Sequence, residues 1–175
     1  CPTHMHRRRY LESVAGLAGI GLLAGCSGGN DPVTTTESGP SVDMVTEGEE
    51  YYFDPIGLHV EPGTTVTFVN DSGSHSATAY VDGLQGATTT RIPEGGVEFD
   101  TTTLTEEGAT ATVTFDTEGT YDYFCIPHKA FGMVGRIVVG SPGGPAEGSM
   151  PPDGDVPESS AIVDSGSISY SSFQS

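Results

Sequence analysis

Tryptophan is missing from this 175-residue chain, positive charge is scarce, and cysteine occurs only three times. The shortage of positive charge excludes whole classes of partner. Six basic residues face 24 acidic ones, and three of the six are Arg7, Arg8 and Arg9. From Cys26 onward only Arg91, Lys129 and Arg136 stand against 23 acidic residues, a net charge of −20. Such a surface repels nucleic acid and anionic lipid headgroups. It also repels itself unless salt shortens the Debye length to about 3 Å, its value at 1 M, so the composition points to a halophilic setting. A chain with no tryptophan and one cysteine in its body does not fit an immunoglobulin-type adhesion domain, which expects a core tryptophan and a cysteine pair. With 35% hydrophobic residues, 25 glycines and 12 prolines, the remaining expectation is one small core with many turns.

The N-terminus reads as an address. "MHRRRYLESVAGLAGIGLLAGC" has a basic start, an apolar run from Val14 to Ala24, and small residues before Cys26. That run is too short and too glycine-rich for a permanent bilayer span, which suits an exported signal segment over 5–25. Arg7-Arg8-Arg9-Tyr10-Leu11 fits a twin-arginine export motif, and Leu23-Ala24-Gly25-Cys26 fits a lipobox, making Cys26 the expected lipidation site and membrane anchor on the outer face of the cytoplasmic membrane. Cys1, His4 and His6 sit beside or before Met5, the expected natural start, and take no role. Residues 26–44, rich in Ser, Thr, Gly and Pro, are expected to be a flexible linker. Residues 141–175 have the composition of a disordered acidic tail.

Between these lies a domain expected over 45–140, built of short strands. In "TTVTFVN", Val66, Phe68 and Asn70 share one face. "GVEFDT", "ATVTFD", "GTYDYFC" and "GRIVV" continue the series between Gly, Pro and acidic turns. No stretch carries the period of an amphipathic helix. The fold expected is all-β, a Greek-key antiparallel β-sandwich.

Export leaves Cys125 without a disulfide partner, and the residues around it supply a different use. In "YDYFCIPHKAFGM" the period of two puts Tyr121, Tyr123 and Cys125 on the inner face and Asp122 and Phe124 on the outer. The thiol therefore points into one end of the core as the strand ends. Pro127 stiffens the loop, His128 returns beside the sulfur, and Gly132 permits the bend that brings Met133 back. Thiolate, imidazole and thioether suit copper, and a second imidazole completes a His₂Cys plane with a weak axial methionine. His59 lies between inward-facing Leu58 and Val60 and is expected to face solvent, which leaves His75. Zinc fits a similar cage, but the methionine favours copper.

The chain resembles small type 1 blue copper proteins of the plastocyanin, pseudoazurin and halocyanin group, most of all the halocyanins. The likeness rests on Cys-x2-His-x4-Met at Cys125, His128 and Met133, on "FDPIGLHVEPGTTVTFVND", and on His75 after the following Gly/Ser turn. It implies a cupredoxin-like sandwich with one copper, working as a monomeric electron carrier rather than an enzyme, between redox proteins of a respiratory chain. It further implies that His128 surfaces in a docking patch, here Pro127, Ala130 and Phe131, with Lys129 an unusual charge beside it. Where the family usually carries Asn after its first histidine, this chain has Ser76. The tie between ligand loops is therefore expected to be weaker or to use water, with the Ser76 N–H still offered to Cys125. Pro127 removes a second donor. A copper storage or delivery protein with the same ligands and no redox turnover is the alternative.

Overall fold

The strand pattern is visible directly in burial. The structure, a computed structural model, describes residues 39–175; the signal segment 5–25, Cys26 and the linker up to residue 38 lie outside the described residues. Among the described residues nine strands form: β1 (Ser41–Glu47), β2 (Glu50–Asp54), β3 (Gly57–Val60), β4 (Thr64–Asn70), β5 (Thr78–Ala79), β6 (Thr110–Phe115), β7 (Gly119–Phe124), β8 (Val134–Val139) and β9 (Ser167–Ile168). Two short helices, α1 (Ser159–Ser165) and α2 (Tyr170–Phe173), flank β9. In β4 the alternation buries Val66, Phe68 and Asn70 and leaves Thr65 out, as period two requires.

The strands make two sheets, ordered β2-β1-β4-β6 and β5-β7-β8-β3-β9. Their inner faces enclose one core, in which Phe53, Phe68, Phe99, Phe115, Tyr121 and Tyr123 pack with Val66, Ile137, Cys125 and Met133. This is the expected all-β sandwich. Most pairs are antiparallel, but β1 with β4 and β3 with β8 run parallel. Parallel partners need crossovers, so these two pairings are set by long-range packing and leave no local signal.

Three expectations need correction. The linker ends earlier than residue 44, because Ser41–Met44 pair in register with Thr67–Asn70. "GVEFDT" forms no strand; it runs beside β5, joined through Ala79 N–H to Phe99 O (2.8 Å), Thr101 N–H to Ala77 O (3.1 Å) and an isolated bridge from Thr78 to Asp100. The largest correction concerns 141–175, which is folded. It lies over the outer face of the second sheet, so that with the core on the inner face all six residues of β7 and of β8 are buried. Phe124 and Val134 pack under Val156 with Tyr80 and Ala87 in a second apolar cluster. Farther along, β9 adds to β3 and Ile162 of α1 fills the space above Gly57.

The segment needs few apolar residues of its own because buried arginines hold its backbone. Asp122, expected to face outward, is buried between Arg91 (Nε to Oδ2, 2.8 Å) and Arg136 (Nε to Oδ1, 2.7 Å). Both guanidiniums also donate to Ala146 O at 3.0 Å, and Arg136 reaches Pro157 O at 3.3 Å. A low-hydrophobicity segment stays disordered when it must build its own core; this one borrows a sheet face and two charges.

Candidate metal centre

The site grows from the end of β7. Cys125 follows Phe124 as the strand stops, and its N–H donates to Met133 O at 3.0 Å, closing the loop between them. Inside the loop, Lys129–Phe131 make one 3-10 turn, begun at His128 and ended by Gly132 at φ 83°. That left-handed position suits glycine, and it turns the chain so that Met133 N–H meets His128 O at 3.3 Å. Met133 and Cys125 are both fully buried, while His128 is partly exposed.

The second loop arrives because β5 pairs with β7, matching Thr78 to Phe124. Upstream, the Asn70 side chain donates to Gly73 O (2.9 Å) and Glu106 O (3.0 Å). His75 then exchanges backbone hydrogen bonds with Leu104, at 3.0 and 2.7 Å. The loop tie expected to be weaker or bridged by water is direct. Ser76 Oγ accepts from Ile126 N–H at 2.8 Å, and Ser76 N–H points at Cys125 Sγ at 3.5 Å. A serine hydroxyl therefore joins the two ligand loops without a bridging water.

Three donors converge. His75 Nδ1 lies 3.6 Å from Cys125 Sγ, His128 Nδ1 lies 3.5 Å from it, and the two nitrogens are 3.1 Å apart. A point equidistant from all three sits about 2 Å from each, the length of a metal–imidazole bond. Two imidazole nitrogens and a sulfur facing one another at these distances fit a metal ion, and a soft thiolate with Met133 in the same loop fits copper. His59 stands apart. It is half-buried rather than exposed, its Nε2 against Gly140 O at 2.8 Å.

Burial prepares the ligands electrically. It lowers the His75 pKa from 6.5 to about 4, helped by His128, so the ring is neutral at neutral pH. Burial also lowers that of His128. The Cys125 thiol is pushed up by burial, against donors from Ser76 and His128. A bound metal takes the place of its proton.

Two residues at the site had gone unread in the sequence. Thr46 Oγ1 lies 2.9 Å from His75 Nε2, and the Tyr51 ring stacks on His128 with centroids 3.9 Å apart and planes 9° apart. Both belong to the β1–β2 hairpin. The alternation in "VDMVTEGEEYYFD" would have revealed the hairpin, but not which side chains reach a site formed by residues 75–133. Lys129 also differs from expectation. Its Nζ donates to Gly86 O at 2.7 Å, lies 4.6 Å from the Phe124 ring centroid, and faces Asp153 at 3.7 Å. It ties the ligand loop to segment 141–175.

The chain is similar in sequence to known proteins. Residues 40–140 match the family described as copper binding proteins, plastocyanin/azurin family. The halocyanin of Natronomonas pharaonis is 36% identical over 110 residues, 60% of this chain and 60% of that protein, so the match spans less than two thirds of that relative. The chloroplastic plastocyanin of Tetradesmus obliquus is 26% identical over 137 residues, 75% of this chain and 88% of its own. The crystal structure of pseudoazurin from Methylobacterium extorquens superimposes with a TM-score of 0.46 at 31% identity, covering 58% of this chain and 75% of that one. With a family match over more than half its length, three donors converging and Met133 buried in the same loop, the chain belongs to the plastocyanin/azurin family of copper-binding proteins, with one type 1 copper site at His75, Cys125, His128 and Met133.

Proposed function

We propose that this protein carries single electrons between redox proteins of a respiratory chain, as a monomer held by a lipid to the outer face of the cytoplasmic membrane. The observation that carries the reading is the preset triangle of His75 Nδ1, Cys125 Sγ and His128 Nδ1, all within 4.8 Å of one another. Copper, when bound, supplies a one-electron couple. The chain's residues do the rest. His75 is fixed through Leu104 and Cys125 through Met133, so the ligand geometry is set before a metal arrives and little has to move when the charge changes. A copper enzyme needs an open coordination position for its substrate, and here protein ligands fill the set.

The route outward runs through His128, the one ligand of the four that is not fully buried. Pro127, Ala130 and Phe131 are exposed around it, Phe131 at 69%. An exposed apolar patch at a site's edge favours brief docking of another protein. Export and anchoring are supported by Arg7-Arg8-Arg9 and by Leu23-Ala24-Gly25-Cys26, and a halophilic habitat by the net charge.

Loading the full chain with one equivalent of Cu(II) should give an intense blue colour and a reversible one-electron couple. A colourless protein carrying a full complement of copper would refute the reading. Blue protein with no reversible couple, whose copper passes readily to an acceptor, would favour storage or delivery instead. Cys26→Ala should release the protein from membranes, and its retention there would place the anchor elsewhere.

A further inference from the structure

The hairpin formed by β1 and β2 supplies no metal ligand, yet one of its cross-strand pairs touches both imidazoles. Thr46 and Tyr51 are direct partners in the antiparallel register. Thr46 reaches His75, Tyr51 stacks on His128, and those two rings have centroids 4.8 Å apart. A single rung thus spans the pair of imidazole ligands.

The two contacts restrain different freedoms. His75 Nδ1 faces the other donors and Nε2 lies 2.9 Å from Thr46 Oγ1, so a metal held at Nδ1 would require the ring proton on Nε2, placed to donate to that hydroxyl. A hydrogen bond on the far nitrogen fixes tautomer and ring orientation in metal-bound histidines generally. Thr46 is itself locked to the His75 loop. Its N–H donates to Ser72 Oγ (2.9 Å), and the Ser72 hydroxyl donates back to Thr46 O (3.1 Å). Gly73, at φ 81°, lets the loop pass so close that a Cβ there would strike Thr46 Oγ1. On the other strand, the face of Tyr51 covers one face of His128 and its ring leans on Phe131 with centroids 5.3 Å apart. Stacking restrains the tilt of an imidazole that only its own short loop otherwise holds.

We propose that the Thr46–Tyr51 rung is the positioning device of the copper site, fixing the tautomer of His75 and the ring plane of His128. The proposal rests on the copper reading for its consequence and on the metal-free protein for its geometry, so the two can fail separately.

The test uses the full chain carrying Thr46→Val, Thr46→Ser, Tyr51→Leu or Tyr51→Phe. In the metal-free protein, nitrogen-15 NMR of the imidazoles should show His75 held as the Nε2–H tautomer in wild type and Thr46→Ser, and a tautomer mixture in Thr46→Val. In competition with a chelator, Thr46→Val should weaken copper binding about 10- to 100-fold, with Thr46→Ser close to wild type. Tyr51→Leu should weaken it about fivefold, the increment of an aromatic stack, and change the copper EPR spectrum, while Tyr51→Phe restores both. Metal-free unfolding midpoints serve as the control for a purely structural role. An unchanged His75 tautomer in Thr46→Val overturns the proposal. So do affinity losses that merely follow the fall in metal-free stability without rescue by Ser or Phe. A wild type that binds no copper while keeping the His75 tautomer locked would sink the copper reading and leave the rung's hold on the imidazoles standing.

Discussion

Replacing Asp122 by asparagine keeps the side chain's size and removes one charge from the most heavily loaded ion cluster among the described residues. Asp122 is fully buried and accepts from Arg91 Nε at 2.8 Å and from Arg136 Nε and Nη2 at 2.7 and 3.0 Å. Both guanidiniums are almost wholly buried as well. After the change, one other carboxylate acts on both arginines, that of Glu147, which Arg136 reaches through the Ser159 hydroxyl. Its carboxylate takes the Ser159 hydroxyl at 2.6 Å and that of Thr120. Burial pushes the Glu147 pKa up, but those two hydroxyls, with Arg136 and Arg91, bring it below the ordinary value, so it stays ionised. One ionised carboxylate at second hand does not replace one in contact with both arginines. Breaking a buried pair costs about 3–5 kcal/mol, and because one carboxylate here serves two cations the upper part of that range, about 4–5 kcal/mol, is expected. For a chain of this size each kcal/mol lowers the melting temperature by about 2–4 °C, giving a fall of roughly 8–20 °C. The measurement is thermal unfolding by circular dichroism in molar salt, on the metal-free and copper-loaded protein. Added salt should not restore the loss, since a buried pair is poorly screened. Segment 141–158, held by the same arginines, should become sensitive to limited proteolysis. A fall of less than about 3 °C, near 1 kcal/mol, would mean that the arginines do not depend on Asp122, and the account of how the segment is held would be wrong.

Cys125→Ser should abolish the blue colour while the sandwich still folds, because Ser keeps the volume and cannot supply the thiolate; retained colour would remove Cys125 from the site. His75→Ala should lose the colour and His59→Ala should keep it, the latter losing only its bond to Gly140 O, about 1 kcal/mol; equal loss of colour would contradict the ligand assignment. Tyr123→Phe should raise stability by about 1 kcal/mol, since the hydroxyl is buried with no partner among the described residues and leaving such a group unmade costs about that much; a clear loss in chemical denaturation would reveal a partner. Metal-free protein should lose stability as pH falls from 6.5 to about 4, because His75 has its pKa lowered on folding and the unfolded chain therefore takes up the proton first. That contribution is complete above 6.5, and a metal-free unfolding midpoint unchanged across the window would rule it out.

Sequence alone determined the parts of this protein whose geometry is local. Cys125, His128 and Met133 are bound into one loop by a strand end, a proline and a glycine at φ 83°, so their spacing already implies their meeting. Period-two alternation likewise assigned Val66 and Phe68 to the core, because a strand offers only two faces. The choice of His75 over His59 held since it depended only on which way a strand residue points. Tertiary structure decided what depends on partners far along the chain. Segment 141–175 has a disordered composition, but order came from carbonyls at Ala146 and Pro157 that accept from Arg91 and Arg136. A backbone carbonyl is the same in every residue and leaves no mark on composition. Asp122 lay on the outer face as the alternation required, yet that face was not solvent, because the segment covers it. Ser76 became a direct tie only once Ile126 N–H was brought to 2.8 Å. Thr46 and Tyr51 gained their places from a hairpin register that aims a hydroxyl at one imidazole and a ring at another. Those imidazoles lie 29 and 77 positions further along the chain, and contacts at that distance are set by how the sheets pack.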